Sequence, residues 1–188
     1  MKKIFFLTGT RAEYGLLKDL INLFCKSKKF QVNLIITGSH LSKKYGNTIK
    51  DIDTSRLNLF KIKLNLHEDS IDGNFKNQIK ISKEIFKICK LKKPDFFVVL
   101  GDRFEIFSAC SVVQFQNIPI FHIHGGEKTV GSLDDQLRHS ITKMSHLHFV
   151  ANKDFKKRVI QLGENPKNVF IVGGLGVDKI SKTKLINK

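Results

Sequence analysis

Short apolar runs alternate with amphipathic stretches along this chain, and that alternation constrains the fold more than any other feature. Runs at 4–8, 31–37, 96–100, 118–123, 147–151 and 169–172 are rich in Ile, Leu, Val and Phe, as strands buried on both faces must be. A further strand is expected over 59–64. Helical spacing joins Leu16, Leu17, Leu20, Ile21, Phe24 and Cys25 within 14–28, and Ile79, Ile81, Ile85, Phe86 and Ile88 within 74–91. Pro94-Asp95 closes that second helix. Helices are also expected over 104–116, 134–144, 153–162 and about 177–186. Residues 39–58 are less regular, with Tyr45-Gly46-Asn47 as a loop leading into a short helix. Strands that alternate with helices pair in parallel. Right-handed crossovers then wind them into an α/β, Rossmann-like doubly wound sheet. A length of 188 residues suits one such domain, and no linker, repeat or low-complexity segment divides it.

Ligands of such sheets sit beyond the C-terminal ends of the strands, so the loops there carry the chemistry. Four of them are polar or glycine-rich and fall on one rim: 8–15, 37–40, 101–105 and 122–129. Gly9 lets backbone approach a ligand, the following helix N-terminus suits an anion, and Arg11 can grip phosphate with both arms. An ordinary strand-to-helix turn with a surface arginine is the alternative. The loop matches neither GxGxxG nor a P-loop, so no cofactor is expected. Asp102 either caps the next helix or joins Arg103 and Glu105 in a functional charged cluster. Alternation places His122 and His124 on one side of a strand end, but no third ligand stands at a familiar spacing, so no metal is expected. Gly125-Gly126 permits a tight turn beside Glu127. Asp134 reads as a helix cap or as a carboxylate facing the crevice. Asp135 and Arg138 read as a surface pair, or Arg138 and His139 as groups facing phosphate or sugar. His146 and His148 read as structural or exposed.

Composition narrows the partners. The formal net charge is +16, which raises the question of nucleic acid. The lysines, however, are scattered, with no basic run interleaved with aromatics, so no nucleic acid is expected. A positive field of this size instead favours an anionic nucleotide ligand. Cys25, Cys89 and Cys110 lie in apolar helical patterns without CxxC spacing and read as buried reduced thiols. The apolar run after Lys2-Lys3 is too short for a signal peptide, and no membrane-spanning stretch follows. No membrane partner and a cytoplasmic location are expected.

Taken together, the loops resemble those of hydrolysing UDP-N-acetylglucosamine 2-epimerases of the bacterial sialic and legionaminic acid branch. The resemblance rests on Gly9-Thr10-Arg11-Ala12-Glu13-Tyr14-Gly15, Gly101-Asp102-Arg103-Phe104-Glu105, His122-Ile123-His124-Gly125-Gly126-Glu127, Asp134-Asp135 with residues 138–145, and residues 158–164. It implies the N-terminal Rossmann-like domain of a two-domain GT-B-like enzyme, over 1–173. Residues 174–188 would then begin the crossover to a second, UDP-holding domain. It implies elimination of UDP from UDP-GlcNAc to a 2-acetamidoglucal, then hydration to free N-acetylmannosamine. By the same match Asp102 and Asp134 take catalytic carboxylate positions, and Gly9, Arg11, Arg103, Arg138 and His139 line the substrate side. Many family members read His-Ile-Glu-Gly-Gly-Glu with the first Glu catalytic. Here that position is His124, so its acid/base role falls to His124 or to Glu127. Family members are about twice this length. The chain is therefore expected to be inactive alone, as a truncated half, and to form a homo-oligomer or work with a separately encoded C-terminal half. A UDP-2,4-diacetamido sugar is the alternative substrate, and a non-catalytic remnant that binds sugar nucleotides is the alternative role.

Overall fold

The computed structural model describes residues 1–67 and 70–182. Seven strands form a single parallel sheet in the order β3-β2-β1-β4-β5-β6-β7. These are β1 Lys2–Thr8, β2 Phe30–Ile36, β3 Asn58–Lys61, β4 Phe96–Leu100, β5 Ile120–Ile123, β6 Leu147–Val150 and β7 Val169–Ile171. Among the described residues six α-helices cover it: α1 Arg11–Lys26, α2 Ile71–Lys92, α3 Phe104–Phe115, α4 Leu133–Met144, α5 Lys153–Gln161 and α6 Leu175–Lys182. This is the doubly wound α/β architecture expected from the apolar runs. Strand order reverses between β1 and β4, so the loops after these two strands diverge and open a crevice between them.

Strand β1 shows why the runs read as strands. Ile4 to Leu7 are at most 1% exposed, and successive side chains enter opposite core layers. Ile4 and Phe6 pack with Leu17 and Ile21 of α1, whereas Phe5 and Leu7 pack with Ile81, Ile85 and Ile106 beneath α2 and α3. A pair of covered faces demands apolar residues at every position, and that is what makes the run continuous.

Element ends depart from the sequence expectation where capping decides them. Helix α1 starts at Arg11 rather than 14, because Thr10 accepts from the Glu13 N–H while the Glu13 carboxylate accepts from the Thr10 N–H. Helix α2 starts at Ile71, capped by the Ser70 hydroxyl. Strand β3 is shorter than 59–64; Ile62 still donates to the Ile36 carbonyl, but the chain then leaves the ladder. The irregular stretch after β2 is three short 3₁₀ turns between Gly38 and Asp51. The last helix begins at Leu175, whose side chain packs with the α1 core layer; residues 183–186 of the helix expected there lie outside the described residues. Among the described residues no helix is long and apolar enough to cross a membrane.

Candidate functional site

The site is organised around a buried arginine. Arg138 projects inward from α4, 7% exposed. Its Nη2 forms an ion pair with Asp102 and donates to Thr129 Oγ1 at 3.2 Å. Its Nη1 donates to the His124 carbonyl at 3.1 Å and to Glu127 Oε2 at 3.2 Å. One guanidinium thus ties together the loops after β4 and β5. Its planar fork of donors can serve these four acceptors, which a lysine could not match.

Both local alternatives for Asp102 and Arg138 are set aside by this geometry. Asp102 does not cap α3; Arg103 occupies the N-cap position and makes no side-chain cap bond. Asp135 does not pair with Arg138 but accepts from the Thr129 N–H at 2.9 Å and stands 3.6 Å from His139 Nε2. Ser132, not Asp134, caps α4. Burial pushes the Asp102 carboxyl above the ordinary range; the Arg138 charge opposes this, and Asp134 and Glu127 add to it.

His124 sits in the left-handed region at φ 65, a conformation uncommon outside glycine and typical of sites where backbone is held for a purpose. Its N–H donates to the Phe149 carbonyl and its carbonyl accepts from Arg138, which pins the turn from both sides. Nδ1 stands 2.8 Å from Glu127 Oε1. A carboxylate can only accept there, so Nδ1 carries the hydrogen, and Nε2 holds the lone pair in the form of the ring with a single proton. That Nε2 is buried and has no partner among the described residues. Burial acts to raise the Glu127 carboxyl, but the hydrogen bond from His124 and the His124 and Arg138 charges outweigh it and hold it below the ordinary range.

His122, two residues earlier on β5, is not the second member of a ligand pair. It is fully buried, with Nε2 2.8 Å from the Gly101 carbonyl and Nδ1 3.2 Å from Thr142 Oγ1. Burial pushes its pKa down to about 3, so it is a neutral strut under the loop that carries Asp102. His148 is likewise buried, against Glu164.

A second cluster lies at the β1/β4 switch point. Arg103 is bidentate on Glu105, at 2.9 and 3.1 Å, and 3.7 Å from Glu13. Glu105 is fully buried. Gly9 is close to all three side chains, but its N–H donates to Glu13 at 2.6 Å and its carbonyl accepts from Ser39. Its polar groups are therefore engaged within the chain. Arg11 stands apart, largely exposed, 3.9 Å from Asp51.

The structure therefore brings Asp102, His124, Glu127 and Arg138 into contact. Asp134 stands at the start of α4, close enough to Asp102 and Arg103 to act on both electrostatically. Arg103 and Gly9 belong to the neighbouring cluster, His139 lies along α4 beside Asp135, and Arg11 is outside. Thr129 and Thr142 fall within stretches that the sequence marks, 122–129 and 138–145, but a threonine carries no pattern of its own to single it out. Glu13 was legible in principle, as the last residue of the Thr-x-x-Glu capping pattern.

Comparison with known proteins places the chain in a family. The sequence family described as UDP-N-acetylglucosamine 2-epimerase matches residues 24–188. Polysialic acid biosynthesis protein P7 of Escherichia coli is 41% identical over 196 residues, covering 100% of this chain and 48% of that protein. The GDP/UDP-N,N'-diacetylbacillosamine 2-epimerase (hydrolyzing) of Campylobacter jejuni is 40% identical, covering 100% of this chain and 49% of that protein. The crystal structure of UDP-GlcNAc 2-epimerase from Neisseria meningitidis bound to UDP-GlcNAc superposes with a TM-score of 0.78 at 20% identity, covering 96% of this chain and 50% of that one. The chain spans about half the length of the relatives it matches. On these matches the chain belongs to the UDP-N-acetylglucosamine 2-epimerase family.

Proposed function

We propose that this chain supplies the sugar-facing acid/base wall of a hydrolysing 2-epimerase acting on UDP-GlcNAc. The observation that carries the reading is the convergence on the single Arg138 guanidinium of the Asp102 and Glu127 carboxylates and the His124 carbonyl, with the His124 ring held on Glu127. In the proposed reaction a base takes the C2 proton as the C1–O bond to UDP breaks, leaving a 2-acetamidoglucal. Water then adds its oxygen at C1, and a proton reaches C2 from the opposite face. Two steps on two faces need two proton-transfer groups placed before substrate arrives.

We assign the His124 ring to one of them, with Nε2, buried in the free chain, uncovered to the sugar as substrate seats. Glu127 fixes its tautomer and orientation, in the way a carboxylate serves a catalytic histidine elsewhere. Glu127 is then a positioning group, not the replacement base. Asp102, whose carboxyl is biased toward holding a proton, serves the other face, with Asp134 beside it. Arg103, Arg138 and His139 face the sugar end, and Arg11 reaches toward phosphate. The second half of the relatives' length is proposed to hold UDP, with residues 174–188 leading toward it. The hydrolysing relative of Campylobacter jejuni supports a second reading of the substrate, a UDP-2,4-diacetamido sugar.

The test is UDP release from both sugar nucleotides, by this chain alone and with the C-terminal half of the Escherichia coli relative added. We expect little release alone, release on complementation, and a loss of about a hundredfold or more in Asp102→Asn. Rapid release by the chain alone would overturn the division of labour. Unchanged turnover in Asp102→Asn would remove that residue from the mechanism.

A further inference from the structure

Glu13 and Glu105 have no role in the chemistry above, yet they are among the most buried charged side chains of the chain, 8% and 0% exposed. Buried carboxylates need partners, and among the described residues these two have one cation between them. Arg103 gives both Nε and Nη2 to Glu105 and stands 3.7 Å from Glu13 Oε1. Charge counting leaves one negative charge without a cation. Other neighbours do not supply it. The Gly9 and Thr10 N–H groups donate to Glu13 Oε2 but carry no net charge. His40, which packs under the same loop against Thr8, is held neutral by burial. Asp134, across the crevice, draws on Arg103 as well.

We propose that Glu13 and Glu105 form a buried carboxylate pair that carries one exchangeable proton and thereby sets how Arg103 is held at the mouth of the site. With the proton on Glu13 the cluster is neutral, and Arg103 is committed to its bidentate grip on Glu105. When the proton leaves to solvent, Glu13 becomes a second anion 3.7 Å from the same guanidinium, and Arg103 is shared between the two. Burial dominates the bias toward the protonated form; the Gly9 N–H and Arg103 oppose it and Glu105 adds to it, leaving Glu13 pushed up to about 7. The switch thus operates near neutral pH. Glu13 and Glu105 are positioning residues that act through Arg103. The pair itself does not depend on the epimerase reading; only its consequence for a sugar ligand rests on it.

The test uses the 188-residue chain without ligand, so it is independent of turnover. Carboxyl-labelled glutamate NMR follows the Glu13 Cδ signal against pH, alongside the Arg103 Nε–H and the Gly9 and Thr10 amides. We expect one step near pH 7 shared by all four signals. In Glu105→Gln the like charge is gone and Arg103 is free for Glu13, so the Glu13 step falls by at least about one unit. Titration of Glu13 in the ordinary carboxylate range, or a step unmoved by Glu105→Gln, overturns the proposal. Where Glu105→Gln does not fold, Glu13→Gln decides: the neutral-pH step must vanish from Arg103 Nε–H, and its persistence overturns the proposal equally.

Discussion

Arg138→Met is the most informative single substitution. Methionine keeps the unbranched stem that packs along α4 and removes only the guanidinium. What remains is Asp102, 17% exposed at its side chain, with no cation in contact, and Glu127, 26% exposed, with His124 alone. Removing one partner of a buried ion pair costs about 3–5 kcal/mol, because the other charge stays behind. Partial exposure of both carboxylates puts the expectation at the lower end, about 3 kcal/mol at pH 8. The loss should shrink as pH falls. In the variant the folded state gains by protonating Asp102 and Glu127, and each unit by which a carboxyl rises returns about 1.4 kcal/mol once it is protonated. Urea unfolding of both proteins at pH 8 and pH 5 measures this. The expected result is a deficit at pH 5 smaller by at least about 1 kcal/mol, with unchanged slopes. A deficit equal at both pH values, or larger in acid, refutes the claim that Arg138 compensates buried carboxylates.

Two further substitutions probe the scaffold beneath the site. Gly126 has φ 75, and a Cβ there would run into the Phe155 carbonyl and crowd Val159; Gly126→Ala should cost at least about 2 kcal/mol, and a thermal midpoint within a degree of wild type would contradict this. His122 is held neutral with its pKa pushed down to about 3, so acid favours the unfolded chain, where the ring protonates near its ordinary value. Stability should therefore fall as pH drops below about 6.5, by about 3 kcal/mol at pH 4 on this account. His122→Gln should show a flatter acid limb in urea unfolding, and parallel limbs would remove His122 as the cause.

Much of the fold was legible because burial on two faces writes itself into consecutive residues, as β1 and β4 show. The edge was not: β3 is half-exposed, and its apolar signal extends past its last residue through Ile62, which still bonds to β2, to Leu64, which is buried by the core rather than by pairing. Helix starts slipped where a polar residue did the capping, at Thr10 and Ser70. The site divides in the same way. Loops on one rim follow from parallel topology alone, so the neighbourhood of Asp102, His124, Glu127 and Asp134 could be anticipated. Their bonds could not. The Asp102–Arg138 pair spans 36 residues, and each partner had a respectable local alternative. Sequence spacing speaks only for local pairs, and here the long-range pair won because it serves two charges that the fold had already withdrawn from water.

The charge of the chain and the charge of its site have opposite signs, and that opposition bears on how a nucleotide sugar would lie. The chain has 33 basic and 17 acidic residues. Yet Glu13, Asp102, Glu105, Glu127, Asp134 and Asp135 all stand on this one rim, against Arg11, Arg103, Lys128 and Arg138. At a distance the overall field attracts a polyanion. Within about 8 Å, where salt no longer screens, the nearest charges decide. A diphosphate set against Asp102 and Glu127 would be repelled by both. A neutral acetamido sugar carries no such penalty, and its ring hydrogens are what these groups could exchange. The Gly9 and Thr10 N–H groups are already occupied by Glu13, and exposed Arg11 is the cation of that loop available to phosphate. For the substrate proposed above, the electrostatics therefore favour a sugar turned in toward β4 and β5 with its phosphates held outward, the orientation that the proposed elimination would use.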